Sequence, residues 1–190
     1  MASSLSLGDT VPKTLEPNDL YALIREVPDF PQAGVNFKDL TPLLAHAEAL
    51  SVATQALCEP FKTAGITAVV GIEARGFIFG SLVASALNTG FVPIRKAGKL
   101  PAATFSEDYS LEYGEDQLHI HRDALGVHDR VLLIDDVLAT GGTAAASLRV
   151  IAQTGAQVMA CGFVINLNFL GGAARLSDRG TLIHSVLSFE

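Results

Sequence analysis

Through the middle of the chain, short apolar runs alternate with segments of helical period. Ile66–Ile72 (ITAVVGI) is a β-branched apolar run, followed by the turn EARG and the apolar helical stretch FIFGSLVASALN, which Gly90 stops. FVPIRK then begins another strand. Arg130–Asp135 (RVLLID) repeats the figure: an apolar strand, a glycine-rich turn, and AAASLRVIAQTG as a helix ending at Gly155, with AQVMACGFVINL as a further strand. Strand, turn, helix and strand in series predict an α/β fold with an open, mostly parallel sheet flanked by helices, because parallel strands need crossovers. Continuous rather than alternating apolar strands fit a sheet covered on both faces.

The flanks of this core are less regular. Residues 1–17 are small and polar enough to read as a loose extension. Asn18 or Asp19 is placed to cap a short helix, LYALIREV, and DFPQAGVNFKDLTPLL, punctuated by Pro31, Gly34 and Pro42, reads as an ordered loop. A second helix is expected from about Ala47 to Lys62. The interval Arg95–His121 breaks the rhythm with Gly98, Pro101 and Gly114 among β-forming residues, and predicts two antiparallel strands bearing a long mobile connection. Neither internal repeats nor low-complexity tracts occur, so residues 1–190 are expected to form a single domain.

Composition narrows the class. Hydrophobic residues make up 49% and charged residues 17% of 190, which excludes a disordered chain. A formal charge of −7 argues against nucleic-acid binding, and it requires any pocket for an anion to gather basic residues locally. Cys58 and Cys161 form no metal-like spacing with the histidines and read as reduced thiols. No apolar run approaches the roughly 20 residues that span a bilayer, and MASSLSLGDTVPKT lacks the pattern of a signal peptide. A cytoplasmic protein is the expectation.

The chemistry concentrates in Val131–Thr143, VLLIDDVLATGGT. The strand delivers Asp135 and Asp136 to the carboxyl end of the sheet, where open α/β sheets bind ligands. The ATGGT turn offers glycines for close backbone approach and the hydroxyls of Thr140 and Thr143. A helix beginning near Ala144 aims free N–H groups at the same spot, which makes an anion cradle suited to phosphate. Two acceptor carboxylates beside that cradle suit a ligand with hydroxyl donors near its phosphate, as in a ribose 5-phosphate. The Lys of a Walker A loop and the G-x-G-x-x-G of a dinucleotide fold are both missing here. GIEARGF at Gly71–Phe77 places Arg75 at a second strand end, as an anion ligand or in a surface pair with Glu73. Arg95, Lys96 and Lys99 in IRKAGK form a local attractor for negative charge at the base of the irregular segment. Within that segment Glu112 lies between Tyr109 and Tyr113, a setting able to tune a proton-transfer group. His119 and His121 share one strand face without further ligands, so no metal site is expected there.

FPQAGVNFKDLTPLL, GIEARGFIFG, RKAGKLP, YSLEYG, RDAL and IDDVLATGGT, in this order, resemble segments of the type I phosphoribosyltransferase family, and within it the branch that acts on adenine. The resemblance runs from about Val27 to Glu190. It implies a short N-terminal hood and a flexible antiparallel lid over the parallel sheet. It implies transfer of the 5-phosphoribosyl group from phosphoribosyl pyrophosphate to adenine, giving AMP and pyrophosphate in purine salvage. Ala139, Thr140, Gly141, Gly142 and Thr143 would hold the 5-phosphate, Asp135 and Asp136 the ribose hydroxyls, and Arg75, Arg95, Lys96 and Lys99 the pyrophosphate, whose Mg²⁺ is carried mainly by the substrate. Phe37 and Leu167 would sandwich adenine while the main chain of Asn36, Phe37 and Lys38 reads its edge, and Glu112 would be catalytic. A cis Glu73–Ala74 peptide and a homodimer also follow from the resemblance. The chain departs from the family pattern at Lys38, at Ala102–Ala103, at Asn166 and in GGAARL. Another purine as acceptor, or a non-catalytic sensor of phosphoribosyl pyrophosphate, are the alternative functions.

Overall fold

The computed structural model describes residues 14–110, 115–178 and 180–190. Along the chain it forms β1 (Arg25–Val27), β2 (Phe37–Asp39), α1 (Thr41–Ala45), α2 (Ala47–Cys58), β3 (Ala68–Ile72), α3 (Gly76–Ala86) and β4 (Gly90–Lys96). It continues through β5 (Thr104–Ser110), β6 (Glu115–His121), β7 (Arg130–Leu138), α4 (Gly142–Ala152), β8 (Gln157–Leu167), α5 (Gly172–Ser177) and β9 (Ile183–Phe189). The main sheet has the order β5-β6-β4-β3-β7-β8-β9. The five strands from β4 to β9 are parallel to their neighbours, and the β5–β6 hairpin joins β4 antiparallel. The α/β architecture expected from the apolar rhythm is therefore present.

Strand β7 shows why its apolar run is continuous. Leu132 and Ile134 enter one core with Phe79 of α3 and Leu57 of α2, while Val131 and Leu133 enter another with Ala145 and Val150 of α4. All eight are at or near complete burial, so both faces of the strand are core and neither tolerates polar alternation. The same topology brings the carboxyl ends of β3, β4, β7 and β8 to one edge of the sheet, where Glu73–Gly76, Lys96, the segment after Leu138 and Leu167 meet.

The stretch LYALIREV is not the helix its periodicity predicts. A 3-10 helix occupies Pro17–Leu23, and the chain then extends into β1. Arg25, Glu26 and Val27 face Asp39, Lys38 and Phe37 across an antiparallel pair, and this tertiary pairing overrides the local helical period. Asp19 turns back to accept from the Glu16 amide at 2.9 Å rather than capping a longer helix. Order also begins earlier than expected within residues 1–17, since the Leu15 amide donates to Glu48 at 3.0 Å. The small β1–β2 sheet is the hood. Strand β9, which no periodicity announced, closes the far edge of the sheet beside β8.

The hairpin falls where two antiparallel strands were expected. It lies along α4, where Arg149 pairs with Glu107 and Gln153 Nε2 donates to the Ser106 carbonyl at 2.9 Å. Among the described residues no helix is long and apolar enough to cross a membrane.

Candidate functional site

The segment Ala139–Thr143 turns tightly out of β7 and runs into the first turn of α4. Gly141 takes φ +75°, a left-handed conformation that favours glycine, and stands at the N-cap of α4 without a side chain capping the helix. The unpaired N–H groups of the first turn are thus available to an anion. A second constraint comes from far along the chain. A Cβ on Gly172, at the start of α5, would lie 2.1 Å from the Ala139 carbonyl oxygen, so α5 packs directly on the loop. A small cavity of about 80 Å³ opens there, lined by Ala139 through Ala144.

Beside it stand the two aspartates. Asp136 is buried and accepts from Arg75 Nε, and its own amide donates to Asp135 Oδ1 at 2.9 Å. Desolvation, with the Asp136 carboxylate next to it, holds the Asp135 carboxyl well above the usual carboxylate range. Helix α3 approaches so closely that a Cβ on Gly76 would meet Ile134 O at 2.8 Å and Asp135 Oδ1 at 2.9 Å. Only glycine fits, which explains the residue after Arg75 in GIEARGF. Arg75 thus pairs with Asp136, and the alternative surface pair with Glu73 is not formed.

Glu73 instead gathers the other cations. It accepts from Lys99 Nζ and, at 2.9 Å, from the Lys96 amide, and lies 3.4 Å from Arg95 Nε. Desolvation raises its carboxyl, but these hydrogen bonds together outweigh it and bring the group down to about 2. The Glu73–Ala74 peptide is cis, as the resemblance implies. Lys96 Nζ reaches Asp116 on β6 at 2.8 Å, and the Tyr109 hydroxyl donates to the same carboxylate at 3.2 Å.

A cavity of about 440 Å³ joins these parts. Asp135, Asp136, Ala139 and Thr143 line it, together with Arg75 and Lys96. Asn36, Phe37 and Lys38 of the hood and Leu167 line the same cavity, and the Arg75 guanidinium lies 5.9 Å from the centroid of the Phe37 ring. The Phe37 ring packs edge-on against Phe30, with centroids 5.3 Å apart. Arg95 and Lys99 do not line this cavity; they stand behind Glu73. Glu112 lies outside the described residues. Leu170 and Tyr109 also line the cavity. The sequence pointed to Tyr109 only as a neighbour of Glu112, and to Leu170, Glu73 as an organiser, Asp116 and Gly172 not at all. Their roles depend on contacts between elements distant in sequence. A local signal existed for Glu73 alone, which precedes Arg75 at a strand end. Among the described residues no group of three or more His, Cys, Asp or Glu side chains is arranged to hold a metal ion.

The chain matches the model of the phosphoribosyl transferase domain over residues 40–180. It is 54% identical over 170 residues to the adenine phosphoribosyltransferase of Methylococcus capsulatus, covering 90% of this chain and 98% of that one. The crystal structure of adenine phosphoribosyltransferase from Rhodothermus marinus superposes with a TM-score of 0.85 at 50% identity, covering 91% of this chain and 98% of the other. The Saccharomyces cerevisiae enzyme, complexed with an imino-altritol 1,6-bisphosphate and adenine, gives a TM-score of 0.84 at 36% identity over 90% and 98% of the two chains. Matched by the domain model and alike to these proteins over nearly their whole length, the chain belongs to the phosphoribosyltransferase family and, within it, to the adenine phosphoribosyltransferases.

Proposed function

We propose that this chain transfers the 5-phosphoribosyl group of phosphoribosyl pyrophosphate to adenine, forming AMP and pyrophosphate in purine salvage. The observation that carries the reading is one cavity lined both by Asp135, Asp136, Ala139 and Thr143 and by Phe37 and Leu167, which we read as a sugar-phosphate end and a base end. The yeast relative is complexed with adenine and an imino-altritol 1,6-bisphosphate, which supports a base and a phosphorylated sugar as the ligands.

In this reading the Ala139–Thr143 amides and hydroxyls hold the 5-phosphate, and Asp135 and Asp136 accept the ribose hydroxyls. Arg75 and Lys96 meet the pyrophosphate directly, with Arg95 and Lys99 held by Glu73 as a second rank of positive charge. The C1′–O bond to pyrophosphate breaks as the N9–C1′ bond forms. Cations around the leaving group stabilise the departing negative charge, and closure of the hairpin excludes water from the oxocarbenium-like centre. Glu112 takes the purine proton. Mg²⁺ carried by the substrate would supply charge screening at its pyrophosphate. The protein's donors suit that arrangement, because Asp136 is committed to Arg75 and Asp135 is held towards its neutral form. One domain, a cytoplasmic setting and a homodimer belong to the same proposal, the last supported by family membership and tested by sedimentation equilibrium.

The deciding experiment is AMP formation from adenine, phosphoribosyl pyrophosphate and Mg²⁺, with hypoxanthine and guanine as competing acceptors. Nucleotide from hypoxanthine or guanine in preference would reassign the base, and no nucleotide from any of them would leave a sensor. Glu112→Ala is expected to lower kcat by about 10²–10⁴-fold with little change in either KM, the usual range for a lost general acid or base. A kcat near that of the unmodified protein would remove Glu112 from the mechanism.

A further inference from the structure

The hood carries a charged clamp that does not itself touch the cavity. Glu26 of β1 sits opposite Lys38 of β2 in the antiparallel register, and its carboxylate accepts from Lys38 Nζ. Its other oxygen accepts from Asn36 Nδ2 at 3.1 Å. Asn36 and Lys38 flank Phe37, and all three line the cavity, whereas Glu26 lines a neighbouring pocket together with Asn36, Lys38 and Phe189. One carboxylate therefore fixes both neighbours of the residue that forms one wall of the base slot.

The opposite wall is tied to the same clamp. Lys38 is only 8% exposed, and its ammonium lies 4.6 Å from the centroid of the Phe189 ring. Phe189 is the register partner of Leu167, the other wall, in the parallel pairing of β8 with β9. A second tie lies close by: the Tyr21 hydroxyl donates to the Ser188 carbonyl at 2.9 Å and accepts from the Ser188 amide at 3.0 Å. The chain of contacts runs Phe37, Lys38, Phe189, Leu167, with Glu26 holding the charge in place. The departure from the family pattern at Lys38 thus comes with its own counter-charge and its own aromatic seat.

We propose that Glu26 is a positioning residue for the base, setting the width of the Phe37–Leu167 slot by clamping Asn36 and by seating Lys38 between its carboxylate and Phe189. This rests on the slot being the purine site. A buried ammonium stripped of its counter-charge is costly, so without Glu26 the Lys38 side chain turns out to solvent and the hood strand loses its spacing from the sheet. A methionine at 38 fills the same seat against Phe189 without a charge, so it should rescue the loss of Glu26.

The test compares AMP with ribose 5-phosphate by calorimetry in the unmodified protein, Glu26→Ala and Glu26→Ala/Lys38→Met. Glu26→Ala should weaken AMP about tenfold, a difference of about 1.4 kcal/mol, while ribose 5-phosphate stays within about twofold. In steady state the KM for adenine should rise by a similar factor with kcat and the KM for phosphoribosyl pyrophosphate little changed. The double variant should recover most of the AMP affinity. Equal weakening of both ligands, no weakening of AMP, or no recovery in the double variant each overturns the clamp. Should Glu26→Ala not fold, Phe189→Leu opens the same clamp from the sheet side and should show the same selective loss of AMP. Failure of the unmodified protein to make AMP from adenine would overturn the proposed function instead, since the two binding affinities still report on the slot.

Discussion

At the scale of single residues, the site is a set of cations already engaged by carboxylates. Asp136 is the sharpest case, because it is buried and paired with Arg75 and is also the acceptor proposed for a ribose hydroxyl. Asp136→Ala removes the acceptor and releases Arg75 from its position, so in the proposed binding mode the ribose and the pyrophosphate each lose a fixed partner. The KM for phosphoribosyl pyrophosphate should rise about 10- to 100-fold, in keeping with about 1.5–3 kcal/mol for a hydrogen bond to a charged group, while adenine binding to the slot changes little. An unchanged KM would remove the ribose from Asp136. Glu73 carries a pH signature. Its carboxyl is brought from 4.5 to about 2 in the folded protein, so it adds stability above about pH 4.5 and loses it as pH falls towards 2. Glu73→Gln should therefore lower the unfolding midpoint by a few degrees at pH 7, and the gap to the unmodified protein should narrow at pH 3. A gap that is constant or wider at pH 3 would show that Glu73 is not held ionised by its hydrogen bonds to Lys99 and Lys96 and its ion pair with Arg95.

At the scale of elements, the phosphate loop depends on a helix that begins 33 residues after Ala139. With a Cβ at Gly172 placed 2.1 Å from the Ala139 oxygen, Gly172→Ala must push either α5 or the loop. Overpacking of this kind costs about 1–3 kcal/mol. The KM for phosphoribosyl pyrophosphate should rise severalfold more than that for adenine, because the displaced group belongs to the phosphate end. Equal changes in the two would mean that α5 yields and the loop does not. This dependence also marks the limit of what could be read from sequence. The β7 run and its ATGGT turn were legible because a strand buried on both faces and a glycine turn before a helix are local patterns. LYALIREV was misjudged because Arg25–Val27 takes its conformation from pairing with Phe37–Asp39. Strand β9 was not anticipated because it is an edge strand mixing His184, Ser185 and Ser188 with apolar residues. Gly172 and Asp116 acquire their roles only when α5 meets the loop and β6 meets β4, and no local period encodes either meeting.

At the scale of the whole molecule, an acidic chain has placed Arg75 and Lys96 at one cavity, with Arg95 and Lys99 behind Glu73, and balanced the four with Asp136, Glu73 and Asp116. A substrate phosphorylated at both ends exchanges those internal partners for its own oxygens. It also bridges parts of the fold that otherwise meet only at the sheet edge: the α4 loop, the start of α3 and the β4–β6 junction. Binding to the folded state alone stabilises it by RT ln(1 + [L]/Kd), about 2.7 kcal/mol at a hundredfold excess over Kd. For a domain of this size each kcal/mol moves the unfolding midpoint by about 2–4 °C. Phosphoribosyl pyrophosphate with Mg²⁺ at that excess is therefore expected to raise the midpoint by about 5–10 °C in differential scanning calorimetry. At a fixed substrate concentration the shift should shrink with added salt, because the exposed guanidinium and ammonium groups that meet the phosphates are screened. Inorganic pyrophosphate at the same concentration should give a smaller shift, since it reaches the cations without spanning to the Ala139–Thr143 loop. Equal shifts from the two ligands would show that the phosphate loop and the cation cluster are not engaged by one molecule, and the two-ended cavity would have to be read as two separate anion sites.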